Sequence, residues 1–135
     1  MKRLFILTVF FLLAVVGCKI SGIPDDTGPI AYQTQILKAY AVPNTVAPGD
    51  TVQCVCIIAD STNKNFKYYW SVSPGGTFTG GKKTTFGGVV SYVTSSNHIK
   101  WKAPNKIGAN YFEVDVDDSS SGLGIPSTAF SVAVK

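Results

Sequence analysis

Cys54, Cys56 and His98 are the residues of this chain best suited to hold a soft metal ion. Thiolates and imidazoles are the common ligands of zinc. Alternation along a strand puts both cysteines on one face, two residues apart, which does not readily give disulfide geometry. Val52 and Ile58 flank them on that face. Such flanking favours a second reading, in which the two are buried free thiols behaving as small apolar residues. Free thiols in an oxidising compartment persist only when buried, so this reading also predicts burial. His98 follows Ser95-Ser96-Asn97 in a turn, where a solitary histidine is ordinarily solvated.

Asp115, Asp117 and Asp118 precede Ser119 to Ser121 and Gly122. The stretch is rich in oxygen ligands, and calcium takes six to eight of them. Asp60 could contribute from another loop. The plainer account is a solvated strand face running into a flexible loop. Glycoside hydrolysis needs two carboxyl groups facing each other across a cleft, and adjacent Asp117 and Asp118 point to opposite sides of a strand. Tyr32, Tyr40, Tyr69, Tyr92 and Tyr111 could stack on sugar rings if they lie exposed on one face, with Tyr69 and Tyr92 the leading candidates; ordinary half-buried strand tyrosines are the alternative. No nucleophile elbow supports a Ser/His/Asp triad and no Gly-rich phosphate loop is present. The chain is therefore expected to be non-enzymatic and to need no cofactor.

The N-terminus carries a different kind of chemistry. Lys2 and Arg3 form a positive cap on the apolar run Leu4 to Val16. A spanning helix needs about 20 residues, so this run is too short to cross a bilayer and suits a secretory signal. It ends in Val15-Val16-Gly17-Cys18, which resembles the lipobox of bacterial lipoproteins. That resemblance implies a signal peptide over residues 1–17 and a diacylglyceryl group on the Cys18 thiol, making Cys18 the mature N-terminus. Lys19 rather than Asp follows the cysteine, which by the sorting pattern of the family favours the outer membrane. Residues 18–34 include Pro24, Gly28 and Pro29 and read as a lipidated cysteine on a flexible tether.

Net charge narrows the partners. Lys2 and Arg3 account for two of the twelve cationic side chains; the ten remaining face eight carboxylates. Arg3 is also the only arginine, so the rest of the chain lacks the usual bidentate reader of phosphate and guanine. Nucleic acid is not an expected partner.

Residues 35–135 are rich in Val, Ile, Thr, Tyr and Phe, with turn residues every eight to twelve positions, which is an all-β signature. Strands are expected over 36–42, 51–59, 66–72, 99–103, 110–116 and 127–134, with one or two more within 84–94. In them Phe66, Tyr68, Trp70 and Val72 share a face, as do Ile99 and Trp101, and as do Phe112, Val114 and Val116. About seven short antiparallel strands favour a two-sheet sandwich, and a domain of about 100 residues suits one. Val55 and Ile57 fall on the outer face of their strand, beside Lys100 and Lys102, which predicts an apolar patch with a basic rim. Glu113 and Asp115 should face outward on the other sheet, opposite Lys67.

Tyr69-Trp70-Ser71, Gly75-Gly76-Thr77-Phe78, Ile99-Lys100-Trp101-Lys102-Ala103-Pro104, and Gly108 leading into Tyr111 through Asp118 together resemble the bacterial immunoglobulin-like and PKD-like domains. The resemblance covers residues 35–135. It implies an immunoglobulin-like antiparallel sandwich, with Trp70 as the core tryptophan and Phe112 or Tyr111 at an aromatic corner, and an expanded segment at 81–97. Domains of this kind mostly act as spacers, adhesion modules or accessory binding modules, and the fold itself implies no activity. The expected role is a membrane-anchored module of the cell envelope that contacts an envelope protein or, alternatively, a surface glycan.

Overall fold

The computed structural model describes residues 34–59, 65–118 and 125–135. The segments read as signal peptide and lipidated Cys18, nearly all of the tether, Tyr32, Asp60 and the run Ser119 to Gly122 lie outside the described residues.

Alternation of apolar and polar side chains makes the strands. Along Thr51–Ile58 (β3) the side chains of Val52, Cys54, Cys56 and Ile58 are buried, while their odd-numbered neighbours are exposed or half-exposed. Phe66–Ser73 (β4) buries Phe66, Tyr68 and Trp70, and Gly108–Asp118 (β9) buries every second residue from Asn110 to Asp118. Each strand therefore has one face that must be covered, and two sheets packed face to face cover both sets at once.

One sheet has the order β1-β3-β8-β5, built from Ile36–Val42 (β1), β3, His98–Lys102 (β8) and Thr77–Thr79 (β5). The other has the order β2-β10-β9-β4-β7-β6 and adds Thr45–Val46 (β2), Ser127–Val134 (β10), Val89–Thr94 (β7) and Lys82–Phe86 (β6). All pairings are antiparallel except β2 with β10, which run parallel. Aromatic rings tie the sheets together: Trp101 of the first meets Phe112 of the second edge to face at 4.9 Å, and Phe78 lies 5.3 Å from Tyr92. Such pairs add about 0.5–1.5 kcal/mol each beyond the area they bury.

The all-β class and the strand faces agree with the sequence. The strand count does not: there are ten among the described residues, against about seven expected. β2 and β5 have two and three residues, too few to show a period. β6 contains Lys82-Lys83-Thr84-Thr85 and forms a sheet edge, where one side needs no apolar cover. The expanded segment is thus the β6–β7 hairpin, which extends the second sheet past β4. Thr34, the last residue read as tether, is buried.

Candidate functional site

Cys54 and Cys56 are fully buried and unbridged in the core. Burial pushes the Cys54 thiol up to about 12 and the Cys56 thiol up to about 11, so both stay protonated and unreactive at neutral pH. His98 cannot complete a ligand set with them. It pairs with Val55 in the register, and that row faces away from the core, whereas the Cys54–Ile99 row faces into it. The exposed His98 ring instead has its Nδ1 3.2 Å from Asn97 Oδ1. No group of three or more potential metal ligands occurs among the described residues.

The three aspartates do not converge either. Asp115 and Asp117 sit half-buried on the outer face of β9, and Asp118 is buried on the inner face. Lys67 faces Asp117 rather than Glu113 or Asp115, two residues from the expected register; Tyr69 faces Asp115 and Ser71 faces Glu113. The outer face of β9 is an acidic row of Glu113, Asp115 and Asp117. Burial, helped by the neighbouring Glu113, pushes the Asp115 carboxyl up to about 6.

The two tyrosines proposed as a sugar platform occupy opposite faces. Tyr92 is the cross-strand partner of Trp70, faces inward and packs on the core. Tyr69 faces outward and stacks on Phe86 at 4.1 Å with 21° between the rings, which leaves that face of its ring covered. Tyr111 is exposed while Phe112 is buried, so Phe112 is the aromatic that enters the core.

The expected apolar patch with a basic rim is present, on the outer face of the β1-β3-β8-β5 sheet. Cross-strand pairing arranges it in rows: Lys38 with Ile57; Tyr40, Val55 and His98; Val42, Gln53, Lys100 and Thr79; then Thr51, Lys102 and Thr77. Ile57 is 39% exposed and Val42 57%, and Leu37 projects at the register shift near the start of β1. The Lys38 ammonium lies 4.9 Å from the centre of the Tyr40 ring, a cation–π contact. These rows contain three lysines and no carboxylate. β1 supplies Lys38, Tyr40 and Val42, which the sequence reading left out of the patch. Their alternation was visible, but only the register with β3 places them beside Ile57 and Val55.

Comparison with known proteins adds little. No family model matches the chain, and no curated protein matches it. Among solved structures, a conjugative transposon lipoprotein from Bacteroides eggerthii aligns over 72% of this chain and 93% of its own, at 14% identity and a TM-score of 0.34. A superposition that loose carries no weight for fold or activity.

Proposed function

We propose that this chain is a non-enzymatic, lipid-anchored module of the bacterial envelope, with an immunoglobulin-like sandwich held off the outer membrane by the tether of residues 18–34. Its outer β1-β3-β8-β5 face docks a partner protein whose own surface is apolar at the centre and carboxylate-rich at the rim. The observation that carries the docking reading is the set of rows just described, with Val42, Val55 and Ile57 exposed or half-exposed among Lys38, Lys100 and Lys102 and no acidic side chain in them. Burying the aliphatic centre supplies affinity, and the lysines supply orientation and encounter rate. A surface glycan is the weaker partner, because Tyr69 and Tyr92 form no common platform. The anchor rests on the short apolar run ending at Cys18.

Photo-crosslinking in intact cells tests the docking face. A photoreactive residue at Ile57 should give a discrete protein adduct, and one at Ser131 on the opposite sheet should not. Reversing Lys100→Glu and Lys102→Glu should abolish the adduct. Equal adducts from both faces, adducts to lipid alone, or indifference to the charge reversal would overturn the assignment. Mass spectrometry of the native N-terminus tests the anchor: an acylated Cys18 is expected, and a chain retaining residues 1–17 would refute it.

A further inference from the structure

One aromatic side chain on the outer face of the second sheet stands clear of its described neighbours. Tyr111 is 64% exposed. Its cross-strand partners are Ser73 on β4 and Ser131 on β10, and Ala109 precedes it on the same face of β9. Opposed side chains on a sheet lie about 4.5–5.5 Å apart, so a large partner would cover the ring and these small ones do not. Tyr69 on the same face shows the contrast, because Phe86 stacks on its ring.

A shallow trough of about 280 Å³ opens beside Tyr111, and its lining includes Ser71, Ser73, Val89, Glu113 and Ala129. That is smaller than a drug-sized site and suits a single small ring. Its polar groups are accessible: Glu113 and Ser73 are exposed and Ser71 is half-buried. The register sets Ser71 opposite Glu113 and Ser73 opposite Tyr111. Glu113 is two residues along β9 from Tyr111 on the same face, about 7 Å away. A flat ligand stacked on the tyrosine therefore presents its edge to the carboxylate and to both serine hydroxyls. The lysines of this face lie farther off, Lys67 opposite Asp117 and Lys82 opposite Val93.

We infer that this trough binds one hexose unit of a neutral glycan, its apolar ring face stacked on Tyr111 and its hydroxyls donating to the Glu113 carboxylate and bonding to Ser71 and Ser73. A sugar ring has C–H groups on its face and hydroxyls around its edge, which matches one open aromatic ring bordered by an acceptor and two hydroxyls. A cationic side chain would use the ring and the carboxylate and leave the serines idle. An acidic sugar would meet Glu113, with Asp115 two residues beyond it on the same face. The trough lies on the sheet opposite the docking face and needs neither that face nor the lipid anchor, so it stands or falls independently of both.

The test is a titration of the full chain, in micelles of a sugar-free detergent, followed by amide chemical shifts. The probes are methyl glucoside, methyl galactoside and methyl mannoside, with methyl glucuronide and N-acetyl-lysinamide as the acidic and cationic controls. At least one neutral glycoside should give saturable shifts at Ser71, Ser73, Tyr111 and Glu113, with a dissociation constant in the millimolar range. Methyl glucuronide should bind at least about fivefold more weakly, because its charge repeats that of Glu113. Tyr111→Ala should weaken the neutral glycoside at least about tenfold, whereas Tyr111→Phe, which keeps the ring, should stay within about threefold. Absence of saturation by all three neutral glycosides, shifts centred elsewhere, or equal binding of the glucuronide or the lysine probe would overturn the proposal, whether or not the alanine variant folds.

Discussion

At the scale of single residues, the tightest constraint is at Gly76. Its φ is +83°, and a Cβ there would lie 2.3 Å from Trp101 Cε2 and Nε1. Trp101 is fully buried and cannot yield. Gly76→Ala should therefore lower unfolding free energy by about 3 kcal/mol or more, read from urea unfolding, since overpacking and backbone strain act together. The thiols give a second prediction. With both buried and held protonated, Cys54 and Cys56 should react with a thiol reagent at pH 8 only as fast as the domain opens, and promptly in urea. Asp115 gives a third. Its folded carboxyl titrates near 6, above its unfolded value near 4, so the folded state holds that proton more firmly. The group's favourable contribution is complete below pH 4 and is lost as pH rises to about 6. Asp115→Asn should therefore raise stability at pH 7, by about 1 kcal/mol after solvent screening, and change little at pH 4. An Asn variant equally or less stable at pH 7 would contradict this.

At the scale of elements, order should follow pairing. β4 and β9 have partners on both sides and bury most or all of their inner rows, whereas β6 is an edge. The β6–β7 hairpin turns at Gly87-Gly88 and leaves Val89 and Val90 more than half exposed. Hydrogen exchange should be slowest for β4 and β9 and at least ten times faster for β6 and the outer end of β7, because edge amides open locally without global unfolding. Uniform protection across the second sheet would show that the hairpin is held as firmly as the centre. The same elements separate what alternation revealed from what it hid. β3, β4 and β9 bury four, three and five side chains at period two and were legible. β2 owes its place to two rungs with β10, supported by Lys135 N–H donating to the Val46 carbonyl at 2.9 Å, a contact without local signature.

At the scale of the molecule, the two outer faces differ in charge: lysines without carboxylates in the rows of the β1-β3-β8-β5 side, and on the other the Glu113, Asp115 and Asp117 row, with Lys67 and Lys82 on the same face. Among the described residues, the core cluster runs from Ala41 to Val134, with partly buried Ile36 and Ala39 packed against it. A chain of residues 34–135 should accordingly unfold in one cooperative thermal transition, within a few degrees of the full-length protein. Loss of that transition would mean that earlier residues complete the core.

Periodicity alone determined the all-β class, the inward faces of the long strands, the burial of the cysteine pair and one edge of the lysine-rimmed patch, because a period of two is written into each strand without reference to its neighbours. Register and sheet order came only from the tertiary structure. They moved Lys67 opposite Asp117, set Tyr69 and Tyr92 on opposite faces, brought β1 alongside Ile57 and separated His98 from the thiols. Tyr111 shows the boundary most clearly. Its parity opposite to that of Phe112 marks it as outward, but only the register with β4 and β10 puts a serine on either side of it. Parity is a local property of a chain, whereas surroundings depend on segments far apart in sequence.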